Sequence, residues 1–168
     1  MRVFGLAGWS GSGKTTLVVK LIPELRRRGI SVSTVKHAHH EFDVDQPGKD
    51  SYEHRRAGAS EVLVASANRF ALMREHRGAP EPALEALLVR LAPVDLVLVE
   101  GFKRDRHDKL EVYRASVGKP LLAADDPHIV AVASDGPVAG LRVPLLALDD
   151  IGAVASFVMA HARLAGAA

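Results

Sequence analysis

Gly8-Trp9-Ser10-Gly11-Ser12-Gly13-Lys14-Thr15 lies between the apolar run Val3-Phe4-Gly5-Leu6-Ala7 and the segment Thr16-Leu17-Val18-Val19-Lys20-Leu21-Ile22. The spacing G-x-x-x-x-G-K-[ST], with a buried strand before it and a helix after it, is that of a phosphate-binding loop. The chemistry explains the residue types. Glycines let the backbone turn its N–H groups inward around phosphate oxygens, and the helix N-terminus adds partial positive charge. Lys14 is placed to reach the β- and γ-phosphates and the Thr15 hydroxyl to ligate Mg²⁺. The stretch therefore predicts a nucleoside triphosphate site held by Gly11, Ser12, Gly13, Lys14, Thr15 and Thr16.

Around this loop the chain has the composition of one soluble domain. Its 168 residues are 48% apolar and 25% charged, enough for a substantial core. The formal net charge is only +2 and the basic residues are scattered, apart from Arg26-Arg27-Arg28 and the stretch 103–109. That balance argues against a nucleic-acid partner. The absence of cysteine excludes disulfides and thiolate metal sites. No apolar run approaches a membrane span, and the N-terminus enters a strand directly, so a cytoplasmic protein is expected.

Read in order, residues 3–7 form a strand that is apolar on both faces, as in the centre of a parallel sheet. Leu17, Val18, Leu21, Ile22 and Leu25 form the stripe of the first helix, which Pro23 should bend and Gly29 should stop. Residues 31–36 complete a βαβ unit. The polar stretch HAHHEFDVDQPGKDS (37–51) then falls where ligands bind in open α/β sheets and where nucleotide switches carry a γ-phosphate-sensitive loop. Ser51 is expected to cap a short helix over 52–57, followed by strands at 61–66 and 70–74 around a turn at 67–69. Pro80-Glu81-Pro82 should open a helix that buries Leu84, Leu87, Leu88 and Leu91.

Asp95-Leu96-Val97-Leu98-Val99-Glu100-Gly101 has the form of a Walker B strand. Glu100 would hold Mg²⁺ directly or through water, and Gly101 would let backbone approach the phosphates. Strands are expected at 110–113, 129–133 and 144–148. A last helix capped by Asp149 or Asp150 should run to about Leu164, with Ile151, Val154, Val158 and Leu164 inward. The pattern predicts a doubly wound, mostly parallel α/β sheet with flanking helices, of the P-loop NTPase type, as one domain over 1–168.

Three other groups invite a role. His37, His39 and His40, with Glu41, Asp43 and Asp45 as further donors, offer either a metal site or a solvated charged loop. Asp45, Lys49 and Asp50 are candidates for contact with Mg²⁺, the γ-phosphate or a partner, beside a plain surface turn at Pro47-Gly48. Asp135, just past a strand end, is a candidate base reader, because a carboxylate accepts from N1–H and the 2-amino group of guanine. No N-K-x-D motif accompanies it, which leaves guanine and adenine both open. The Arg-rich stretches read as solvated faces, although Lys103, Arg104 and Arg106 lie beside Gly101 and could meet an anionic ligand.

With these residues on the page, the chain resembles the MobB family of molybdopterin-guanine dinucleotide biosynthesis adapter proteins. The resemblance rests on GWSGSGKTTL (8–17), TVKHAHHEFDVDQPGKDSYEHRRAGA (34–59), DLVLVEGFK (95–103) and AVASD (131–135). It implies a GTP-binding homodimer, with Mg²⁺, that assists attachment of GMP to molybdopterin and hydrolyses GTP slowly at most. The guanylyltransferase would be a separate partner, the family's MobA, and molybdopterin is a candidate ligand. Matching positions assign the phosphates to Gly11–Thr16, the metal to Thr15 and Glu100, with Asp50 a further candidate, and the base to Asp135. Two other classes keep a place beside this one. A small-molecule kinase would orient its acceptor with Asp45 or Asp50, and a metallochaperone GTPase would use the histidines of the 37–40 segment.

Overall fold

Alternation within two short strands explains why the sheet is covered on both faces. β1 (Arg2–Ala7) turns Phe4 and Leu6 to one side and Val3 to the other, and β5 (Leu96–Glu100) turns Leu96 and Leu98 one way and Val97 and Val99 the other. Successive side chains on a strand point to opposite faces, so a run of apolar residues requires two covers. α1 (Lys14–Arg27) and α4 (Ile151–His161) supply the first, through Leu17, Leu21, Leu25, Val154 and Val158. Leu84 and Leu88 of the single-turn α3 (Leu84–Leu88), with Phe102, supply the second.

The computed structural model describes residues 1–38, 42–103 and 105–165, and the chain divides into two compact units, Met1–His37 with Leu84–Ala168, and Ala38–Ala83. The first unit holds a seven-stranded sheet. With β2 (Val32–Lys36), β6 (Lys109–Tyr113), β7 (Ile129–Ser134) and β8 (Leu145–Ala147), the order is β2-β5-β1-β6-β7-β8, and all of these neighbours are parallel. That is the mostly parallel, helix-flanked sheet expected from the phosphate loop. Its register sets Leu6 against Glu100, so the ends of β1 and β5 finish side by side.

The chain's end departs from expectation. α4 stops at His161, and residues Arg163–Leu164 form β9, antiparallel to Arg2 and Val3 of β1. β6 pairs β1 only from Gly5 onward, which leaves the start of that edge open, and β9 occupies it. Leu164 is consequently 65% exposed rather than inward. Asp150, not Asp149, caps α4, its carboxylate accepting from the Ala153 N–H at 2.8 Å.

The second unit is built around α2 (Asp50–Arg56) and the antiparallel hairpin of β3 (Glu61–Ala65) and β4 (Phe70–Arg74). α2 begins two residues before the expected 52–57. Lys49 takes the cap position, and the Ser51 hydroxyl donates instead to Asp45 at 2.8 Å. Asp50 and Glu53 in the first turn and His54, Arg55 and Arg56 in the last match the helix dipole. Arg55 gathers Asp43 (2.7 Å), Asp45 (3.3 Å) and Glu75 (2.7 Å), fastening the polar stretch and the end of the hairpin to α2. In the first unit, α3 starts only at Leu84, so Pro80-Glu81-Pro82 leads up to that helix without opening it, and Leu91 is only partly buried.

Candidate functional site

The loop between β1 and α1 departs from ordinary backbone at three glycines. Gly8, Gly11 and Gly13 have φ of 140°, 81° and 98°, values that L side chains seldom adopt. At Gly8 space is closed as well, since a Cβ there would stand 2.5 Å from the Val112 carbonyl oxygen and 2.8 Å from the Ser12 hydroxyl. The loop is therefore seated directly on the β6 backbone. Ser12 turns its side chain beneath it, 2% exposed, with Oγ buried and without a hydrogen-bond partner among the described residues, and its N–H donates to the Trp9 carbonyl at 3.2 Å. α1 makes its first internal bond from the Leu17 N–H to the Gly13 carbonyl at 2.9 Å, which leaves the amides of Lys14, Thr15 and Thr16 as the helix's open first turn.

Lys14 spans the loop, donating from Nζ to the Gly8 and Trp9 carbonyls at 2.9 Å each. Burial lowers its pKa; Glu100 opposes that, and Lys103 and Lys36 reinforce it. The charges that act on the Lys14 ammonium are thus one carboxylate and two further ammonium groups. Thr15 Oγ1 donates to Glu100 Oε1 at 3.3 Å, joining the two residues assigned to the metal. A hydroxyl and a carboxylate are the hard oxygen donors that Mg²⁺ prefers, so the pair fits the ion.

Just past Glu100, Gly101 (φ 96°) and Phe102 (φ 46°) both lie in the left-handed region. A Cβ on Gly101 would meet His37 Cβ at 2.6 Å, so this glycine makes room for the end of β2. The His37 ring then packs on Phe102, centroids 4.9 Å apart. His39, His40, Glu41 and Arg104 lie outside the described residues. Among the described residues no group of three potential metal ligands occurs. Asp45 is engaged by Ser51 and Arg55, and Asp50 opens α2 in the second unit.

Beside the loop, on the α1 side of the sheet, a cavity of about 560 Å³ runs from Gly13, Thr16 and Lys20 to Asp135 and Pro137. Asp135, at the end of β7, is thus in one cavity with the start of α1. Its carboxylate accepts from the Arg114 guanidinium, and Arg114 Nε also donates to the Ser12 carbonyl at 3.1 Å. Arg114 was not legible as a site residue. Its only signal in the chain is a basic residue directly after a parallel strand that neighbours the loop strand.

A family profile described as "MobB: Molybdopterin guanine dinucleotide synthesis protein B" matches residues 3–135. This chain belongs to the MobB family. The matched span carries the loop, Glu100, Arg114 and Asp135. An Escherichia coli molybdopterin-guanine dinucleotide biosynthesis adapter protein is 47% identical over 160 residues, covering 94% of this chain and 91% of its own. A Haemophilus influenzae protein of the same name is 43% identical, with 93% and 86% covered. Among solved structures, a MobB homolog from Bacillus stearothermophilus has a TM-score of 0.69 at 30% identity, over 95% of this chain and 97% of that one. Bacillus subtilis MobB shares the fold, with a TM-score of 0.76 at 22% identity over 97% and 99%.

Proposed function

We propose that this MobB-family protein is a GTP-binding adapter that holds Mg²⁺-GTP for a separate guanylyltransferase, the family's MobA, as that enzyme attaches GMP to molybdopterin. The observation that carries the reading is the convergence at the ends of β1, β5 and β7. The Lys14-braced loop, the Thr15–Glu100 pair and a cavity reaching Asp135 stand together there. The loop amides and Lys14 bind the phosphates, Thr15 and Glu100 hold the metal, and Asp135 reads the base. Bound Mg²⁺ would supply charge neutralisation across the β- and γ-phosphates. Asp50 is retained as a further metal candidate carried by the second unit. Binding rather than turnover is the proposed task, with GTP hydrolysis slow at most, in keeping with the relatives' description as adapter proteins.

We further propose that the protein works as a homodimer in the cytoplasm, within a single functional domain over 1–168. No described helix is long and apolar enough to cross a membrane. The hairpin supports the dimer. On one of its faces Leu63 pairs Leu72 and Ala65 pairs Phe70, and Leu63, Leu72 and Phe70 are 60%, 46% and 72% exposed. Apolar side chains grouped on an exposed face mark an interaction surface, so a second copy seated on this face is the natural cover.

Calorimetry of GTP against ATP, with and without the transferase, tests the reading. GTP should bind more tightly than ATP, and the transferase should tighten it further. Lys14→Ala should abolish binding of both nucleotides, because the phosphate charge then goes uncompensated. Full affinity in that variant, or equal affinity for the two nucleotides, would refute the assignment.

A further inference from the structure

We infer that Arg114 is a positioning residue that couples the base pocket to the phosphate loop, so that Asp135 governs how firmly the loop grips phosphate even when no base is present. The inference rests on the GTP-site reading above and extends it. Arg114 follows β6, and its guanidinium does two things at once. Nε donates to the Ser12 carbonyl at 3.1 Å, and Nη1 donates to Asp135 Oδ2. It also lies along the loop backbone, since a Cβ on Gly13 would meet Nε at 3.5 Å. Both Arg114 and Asp135 line the cavity, with side chains 35% and 46% exposed, so each is still reachable by a ligand.

The peptide unit is what transmits the effect. The Ser12 carbonyl and the Gly13 N–H belong to one planar trans amide and point in opposite directions. Holding the carbonyl therefore aims the Gly13 N–H, one of the loop amides assigned to phosphate. Arg114 can hold that carbonyl firmly only while its own planar fork is oriented, and the carboxylate of Asp135 does the orienting. A carboxylate has about four lone-pair directions, so Asp135 can keep Arg114 and still accept from a base. A base bound at Asp135 and a phosphate bound at Gly13 are then linked through a single side chain.

Magnesium tripolyphosphate, which has no base, separates this from direct base reading. Its affinity is measured by calorimetry for the wild type, Asp135→Asn, Arg114→Met, Arg114→Lys and the Asp135→Asn/Arg114→Met double variant, with melting curves confirming that each is folded. Simple electrostatics predicts that removing the Asp135 charge strengthens binding of an anion. The coupling predicts the opposite sign, a loss of about tenfold. The double variant should be no weaker than Arg114→Met alone, and Arg114→Lys, a point charge without the fork, should not restore affinity. Unchanged or tighter tripolyphosphate binding in Asp135→Asn, or losses that multiply in the double variant, would overturn the coupling and leave the GTP site standing. A wild type that binds neither GTP nor tripolyphosphate would overturn both.

Discussion

The carboxylate of Glu100 acts on both Thr15 and Lys14. It accepts from Thr15 at 3.3 Å, and its charge opposes the burial that lowers the Lys14 pKa. Replacing it by glutamine keeps the shape and removes the anion. Without metal, Glu100→Gln should bind GTP at least as well as the wild type, because a carboxylate facing the phosphates is gone. With Mg²⁺ present it should fail to show the wild type's gain in affinity, a shortfall of about tenfold or more. Titrations of both proteins with and without the ion check this, and an equal metal-dependent gain would remove Glu100 from the metal site. The same residue shows why the sequence spoke clearly here. A carboxylate ending an apolar strand, in a chain with a phosphate loop, has few places to go except beside the loop's hydroxyl. Asp135, a candidate base reader in the sequence because it follows a strand end, lines the cavity for a similar reason, whereas its Arg114 partner was not legible. That ion pair joins two strand ends 21 residues apart, and no local pattern announces it.

Among the elements, the phosphate loop is the one whose geometry the sequence dictated most completely, because the same glycines that identify it are those that its turns require. Gly8 makes the point energetically. Alanine there would adopt φ near 140° and set its Cβ 2.5 Å from a backbone oxygen of β6, which no side-chain rearrangement relieves. Gly8→Ala should destabilise the fold by about 2–3 kcal/mol and abolish nucleotide binding. Urea unfolding together with calorimetry reads both, and a variant of wild-type stability would show that the loop is not seated on β6. Other element boundaries were less legible because distant partners set them. Helical periodicity continued through Leu164, but β1 had an unpaired edge, and backbone pairing with that edge overrode the helix. Ser51 had the chemistry of a cap, yet Asp45 took its hydroxyl. Pro80 and Pro82 looked like helix starters, but the apolar contacts that hold α3 begin only at Leu84.

For the molecule as a whole, acid should weaken the fold through His107. Both ring nitrogens of this residue are buried without a hydrogen-bond partner among the described residues, and a Cβ on Gly5 would meet Nε2 at 2.5 Å, so the ring lies tightly against β1. Burial, then the charges of Lys109 and His128, push its pKa down to about 4, with Asp126 and Asp108 opposing. An unfolded histidine titrates near 6.5. Between those values the unfolded chain takes up a proton that the folded chain refuses. The stability contributed by the neutral ring is thus complete above pH 6.5 and is lost as pH falls towards 4. Glu111 works in the other direction. Burial raises its pKa against the donating amides of Leu122 and Ala123, so its carboxylate costs stability at neutral pH and less in acid. The two effects overlap in the wild type, and a variant separates them. His107→Phe keeps a flat ring over Gly5 and removes only the histidine contribution. Its melting temperature should fall less than that of the wild type between pH 7 and pH 4.5, with the difference confined to that interval. Parallel curves for the two proteins would show that His107 accepts a proton without disturbing the fold.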